Sequence, residues 1–160
     1  MNDQRYEYQG TQFIGKLSSE IYRRGYVYFS KRLIVFGINY IQLLCLISLY
    51  IEDHQTQEQI TDDLSIDKAS VHRAIKGLID VGYVNKERDL QDGRAYRVIL
   101  TVKGKKIQPE ISQMMAEREI LLSQGIDPEE KKIAFKVLKQ ITNNANEIYQ
   151  AEKKNRGIKL

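Results

Sequence analysis

The chain has 160 residues, 42% apolar and 29% charged, the make-up of a soluble globular protein large enough for a real core. A single cysteine excludes an intrachain disulfide framework, and the net charge of +4 is modest. The start MNDQRYEYQG has no apolar run behind a basic segment, and YIQLLCLISLYI falls short of the roughly 20 apolar residues of a bilayer span, so a reducing cytoplasm is the expected home.

From Thr11 to Val35 apolar residues recur at helical spacing (Phe13, Ile14, Leu17, Ile21, Tyr22, Val27, Tyr28, Leu33). This predicts one long helix with a weak point at Gly25. FGIN interrupts it. Asn39 is placed to cap a second helix, Tyr40 to about Tyr50, apolar nearly all round and therefore central. EDHQ reads as a loop. Thr56 and Gln59 fit a capping box, and Ile60 and Leu64 give a short third helix its core contacts. After a turn at Ser65 and Ile66, Asp67 caps a fourth helix, Lys68 to about Val81, which Gly82 ends.

YVNKER and RAYRVILT read as two strands around DLQDG, a hairpin with its glycine where φ is positive. In the second strand Tyr96, Val98 and Leu100 face one way, and Ala95, Arg97 and Ile99 the other. Thr101 caps a fifth helix through about Ser123, with Met114, Leu121 and Leu122 on its apolar side. GIDPEE restarts the pattern, with Asp127 as cap, Pro128 at the first helical position and Glu130 completing a box-like pair. A sixth helix carries Ile133, Val137, Leu138, Ile141, Ala145, Ile148 and Tyr149, and EKKNRGIKL reads as a frayed polar tail.

The order helix, helix, turn, helix, hairpin is that of a winged helix-turn-helix. In the fourth helix Val71, Ala74, Ile75 and Leu78 form an apolar stripe, while Ala69, His72, Arg73 and Lys76 lie opposite. A helix that enters a major groove needs such a basic face, with its N-terminal end toward the base edges. The segment Ile66–Lys106 holds ten Lys and Arg against five Asp and Glu; the first 65 residues hold six against eight, and the last 54 nine against eight. Positive charge gathered in one segment fits an anionic partner, or equally a solvated basic surface. The hairpin adds to the first reading. Arg94 follows the turn glycine, Gly93, and can reach a minor groove while Asp92 aims its guanidinium; Lys86, Arg88 and Arg97 flank phosphates. The plainer alternative is a surface hairpin with a weak ion pair.

TQEQITDDLSIDKASVHRAIKGLIDVGYVNKERDLQDGRAYRVILTVKG resembles the core of the MarR family, the multiple-antibiotic-resistance regulators. The resemblance rests on IDKASVHRAI, on GYV entering the wing, and on Asp92-x-Arg94 followed by Leu100, Thr101 and Gly104. It implies a mainly α fold with a small β-hairpin wing: a winged helix-turn-helix, residues 38–106, between dimerisation helices in residues 1–37 and 107–160. It further implies a homodimer on a pseudo-palindromic double-stranded operator, acting as a repressor that a small ligand or an oxidant relieves. Carried over, the wing arginine is Arg94, its partner Asp92, and the recognition segment Lys68 to Arg73, hence Lys68, Ala69, Ser70, His72 and Arg73. The apolar terminal helices independently need a partner, and two-fold symmetry sets half-sites roughly 34 Å apart.

Tyr22, Tyr26, Tyr28 and Phe29 are open to two readings: plain core, or a cleft for a small planar aromatic effector, with Tyr22, Tyr26 and Phe29 lining it. Cys45 lies in LLCLI with no basic neighbour, which predicts an inert thiol. His54 and His72 do not form a ligand cluster, and no cofactor or metal is expected. A winged-helix module that binds or dimerises proteins without specific DNA contact is the alternative, kept open by Glu58, Asp62 and Asp63 on the third helix. An enzyme is not expected, since phosphate loops, nucleophile elbows and paired carboxylates in a plausible pocket are missing.

Overall fold

A computed structural model describes residues 13–89 and 95–157, with side chains to residue 152. The chain divides into two compact units, Met1–Pro109 and Glu110–Leu160. In the first, α1 spans Ile14–Arg32 and continues through Gly25, so the expected weak point does not break it. It passes into a 3-10 turn, Leu33–Phe36, and the break comes at Gly37, whose φ of 67° turns the chain back.

Asn39 then caps α2, Tyr40–Ile51. Its side chain accepts from the Gln42 amide at 3.0 Å, while its own N–H donates to Gln42 Oε1 at 2.7 Å. This box uses two amides that the first turn leaves unpaired. Leu43, Cys45, Leu46 and Leu49 are buried, which makes α2 the central helix, as its composition predicts. Among the described residues, no single helix is long and apolar enough to cross a membrane.

The expected EDHQ loop ends in a two-residue strand, β1, Gln55–Thr56. Thr56 also begins α3, Gln57–Leu64, through the expected capping box with Gln59. Ser65, at φ 52°, ends that helix, and Asp67 caps α4, Lys68–Asp80. Val71, Ala74, Ile75 and Leu78 are buried, as the stripe predicts. Gly82, at φ 78°, leads into β2, Val84–Arg88, and β3, Tyr96–Leu100. The sheet is antiparallel in the order β1-β3-β2, with Thr56 and Glu87 both in register with Arg97.

The predicted fifth helix is corrected by the structure. Thr101 caps a short helix, α5, Val102–Lys106; a turn at Ile107 follows, and α6 runs Gln108–Leu122. Pro109 explains the break. It has no N–H for the Lys105 carbonyl, and in the first turn of α6 it needs none.

In the second unit Gly125, at φ 79°, turns the chain, and Asp127 starts α7, Pro128–Gly157. The Glu129 amide donates to Asp127 Oδ1 at 2.8 Å, and the Asp127 amide to Glu130 Oε2 at 3.3 Å. A bond of 2.9 Å between Lys131 and Glu119 ties α7 to α6. The expected frayed tail is instead helical to Gly157. Its lysines and glutamate are good helix formers, so polarity alone does not stop the helix.

Candidate nucleic-acid interface

The outer face of α4 forms because the inner one is committed. With Val71, Ala74, Ile75 and Leu78 packed inward, helical spacing leaves Lys68, Ala69, His72, Arg73 and Lys76 exposed together. Asp67 Oδ1 accepts the Ser70 amide at 2.9 Å, and Arg73 Nη2 donates to Ser70 Oγ at 2.9 Å. The Asp67 carboxyl is held below the usual aspartate range, first by the Ser70 hydroxyl and amide and then by Arg73. Asp67, Ser70 and Arg73 thus form a short polar line along the first turn. It keeps the Arg73 guanidinium over the N-terminal end of the helix, where amides and dipole also favour an anion. Lys76 lies one turn below Arg73 on the same face.

The central segment's remaining positive charge is partly spent inside the molecule. Lys86 Nζ donates to Gln57 Oε1 on α3 at 2.9 Å. Lys105 pairs with Asp53 at 3.1 Å. Lys103 Nζ donates to the Val81 carbonyl at 2.6 Å and sits 4.9 Å from the centre of the Tyr83 ring. Arg97 is also engaged. Its Nε donates to Asp89 Oδ2 at 2.5 Å, and its Nη1 to the His54 carbonyl at 2.8 Å. Arg88 is exposed at the end of β2. Asp92, Gly93 and Arg94, the predicted tip of the hairpin, lie outside the described residues.

Two residues here were missed from the sequence. Asp89 is buried and its amide donates to the Ala95 carbonyl at 2.9 Å, which extends the hairpin by one pair beyond Arg88 and Tyr96. Two residues further along β3 is Arg97, the diagonal neighbour on the same face. That register, had it been known, would have found the pair. Asp53 is the second. Its carboxylate accepts the Leu100 amide at 2.9 Å and the His54 amide at 2.9 Å, so the loop before β1 is bonded to the end of β3.

The aromatic group is organised by a residue that the sequence reading left out. Tyr40 takes the ring of Phe29 at 5.7 Å in a stacked arrangement and the edges of Tyr22 and Tyr26 at 5.6 and 5.7 Å. Phe29 is buried and belongs to the core, whereas Tyr22 and Tyr26 are half exposed. A separate open cleft of about 290 Å³ is lined by Ser48, Ile51, Glu52, Gln55, Gln59, Asp62 and Asp63, an acidic surface unlike the outer face of α4. Cys45 is fully buried, and burial pushes its thiol up to about 12. Among the described residues, no three His, Cys, Asp or Glu side chains are grouped to hold a metal ion.

Comparison with known proteins gives a consistent picture. Residues 36–95 match the model of the MarR family. The HTH-type transcriptional regulator YdgJ of Bacillus subtilis (strain 168), itself uncharacterized, is 30% identical over 115 residues, covering 70% of this chain and 68% of that protein. A MarR transcriptional regulator from Methanosarcina mazei Go1 is similar in structure at a TM-score of 0.78 and 41% identity, with 86% of this chain and 99% of that one covered. A putative MarR family transcriptional regulator from Listeria monocytogenes, solved in complex with a 26mer DNA, shares the fold at a TM-score of 0.84 and 21% identity, over 90% of this chain and 96% of that one.

Proposed function

The chain belongs to the MarR family of transcriptional regulators, and from that premise we propose that it acts in the cytoplasm as a homodimeric repressor on a pseudo-palindromic, double-stranded operator. The observation that carries this reading is the outer face of α4, where Lys68, His72, Arg73 and Lys76 are exposed together at the capped end and middle of one helix. Lys68, Ala69, Ser70, His72 and Arg73 enter the major groove, and Lys76 faces the backbone. Arg94, oriented by Asp92 next to Gly93, reaches the minor groove.

The apolar surface supports the dimer. In the first unit α1 exposes Leu17, Ile21 and Val27; in the second, Leu121, Ile133, Val137, Leu138 and Ile148 are exposed on α6 and α7. Helices with so much open apolar area need a partner. Half-sites then fall about one turn of duplex apart. The half-exposed Tyr22 and Tyr26 give a planar aromatic effector a place to stack beside Tyr40.

The test is duplex binding as a function of salt. A duplex selected by the chain from a random-sequence library should bind more tightly than scrambled DNA. Its log affinity should fall linearly with log salt, by about 0.9 for each phosphate neutralised. Equal affinity for the selected duplex and for heparin would overturn the reading.

A further inference from the structure

Resting on that DNA-binding reading, we propose that Arg97 is a positioning residue of the hairpin, bridging buried Asp89 to the His54 carbonyl, and not a phosphate contact. Three facts carry this. First, Arg97 is committed on two edges. Nε goes to Asp89 Oδ2 at 2.5 Å and Nη1 to the His54 carbonyl at 2.8 Å, a group 43 residues away in sequence. Second, the Asp89 side chain is only 7% exposed against 36% for Arg97. Were Arg97 to leave for a phosphate, it would give up a charge-assisted bond to a buried carboxylate and its bond to the His54 carbonyl in exchange for a screened surface contact. Third, the receiving carbonyl is itself held in place. His54 has a φ of 66°, an unfavourable angle for a side-chain-bearing residue, and its amide donates to Asp53 at 2.9 Å.

The bridge sits beside the short ladder that joins β1 to the hairpin. β1 pairs with β3 over only two residues, Gln55 with Val98 and Thr56 with Arg97. Beside that ladder, the Lys86–Gln57 bond, the Leu100–Asp53 bond and this bridge join the hairpin to the elements before α4 among the described residues. A helix and a hairpin that must meet one duplex together need their relative pitch fixed to a fraction of an ångström. The Asp89–Arg97–His54 bridge does this from the base of the wing. It spends a positive charge on geometry that simple charge counting would assign to the phosphates.

The experiment compares Asp89→Asn and Arg97→Lys with the wild-type chain on the selected duplex, at a temperature well below each protein's melting point. Asp89→Asn removes the anion that holds Arg97. Arg97→Lys keeps the charge but cannot reach both acceptors in one plane. Each variant should bind about tenfold more weakly, and the double variant no more weakly than either single one. The slope of log affinity against log salt should match wild type, because no phosphate contact is lost. Unchanged or tighter binding by Asp89→Asn, wild-type affinity in Arg97→Lys, or a slope reduced by about 0.9 in Arg97→Gln would each overturn the proposal. Should Asp89→Asn not fold, amide exchange across Tyr96–Leu100 in Arg97→Lys decides: faster exchange without DNA supports the bridge, and unchanged exchange overturns it. A wild-type chain with no preference for the selected duplex would instead overturn the DNA-binding reading, a result distinct from variants that match a binding wild type.

Discussion

Gly104 of α5 is seated on the carbonyl of Tyr83 so closely that a Cβ built there would lie 2.1 Å from that oxygen. The same oxygen accepts the Thr101 amide at 3.0 Å, so it is fixed between the strand end and the helix start. Backbone cannot move aside as a side chain can. Gly104→Ala is therefore expected to destabilise the fold by about 2–3 kcal/mol in urea unfolding. Gly77 is the control. There a Cβ would meet Gln42 Nε2 at 2.2 Å, the far end of a side chain. The gain in helix propensity, about 1 kcal/mol, and the disturbed Asn39 box are of similar size, so Gly77→Ala should fall within about 1 kcal/mol of wild type. Equal losses at the two glycines would contradict this account.

Asp53 makes stability depend on acid. Burial alone would raise its carboxyl, but the Leu100 amide, Lys105 and the His54 amide outweigh burial and hold it below its ordinary value of 3.8. A lowered folded value means that the folded state prefers the anion. The contribution is whole above the ordinary value and is lost as pH falls through the folded one. Asp53→Asn should be less stable than wild type by about 1 kcal/mol near neutral pH. The two should converge as pH falls below the ordinary aspartate value and through the lowered folded one. A gap that stayed constant with pH would show that the charge at Asp53 does not matter.

Much of this architecture was readable because it is locally encoded. Asn39 with Gln42, Thr56 with Gln59, Asp67 with Ser70 and Thr101 with Gly104 satisfy helix ends within three residues, and each cap stands where the sequence predicts it. What was missed depends on distant partners or on too few residues. β1 is two polar residues long and exists only because β3 lies beside it. The Arg97 bridge needs the hairpin register, which one strand alone does not reveal. The break before α6 was legible in principle, since Pro109 marks it, but the apolar pattern continues across that proline and hid it.

The apolar face of α7 gives a test of the dimer. Leu138 is half exposed on a helix whose described residues also leave Val137 and Ile148 open. A charge placed there meets water in a monomer but an apolar partner in a dimer. Leu138→Glu should leave helix content near wild type and shift sedimentation at micromolar concentration from dimer to monomer. Wild-type chain that sediments as a monomer would remove the two-fold operator from the proposed function.

Cys45 tests whether oxidants act through this chain. With its thiol pushed up to about 12 by burial, the thiolate is scarce at neutral pH, and access is closed as well. A disulfide reagent should label Cys45 only as fast as the protein opens, with the rate rising in urea. Peroxide should leave DNA binding unchanged. Rapid labelling of folded protein would restore a redox role.

The outer face of α4 separates reading bases from holding the backbone. Arg73 is aimed by Ser70, which in turn is tied to the Asp67 cap, so its guanidinium is oriented before any duplex arrives. An oriented, forked donor suits the two acceptors of a guanine edge. Lys76 is exposed a turn further down, and a flexible ammonium there suits a phosphate. Arg73→Ala should therefore cost about 1–3 kcal/mol of discrimination between the selected duplex and a single-base variant. Lys76→Ala should weaken both duplexes alike and lower the salt slope by about 0.9. Ser70→Ala leaves the Arg73 charge in place but removes what directs it, so discrimination should fall while the salt slope holds. Were Arg73→Ala to weaken every duplex equally, Arg73 too would be a backbone contact, and base reading would have to lie elsewhere on the helix.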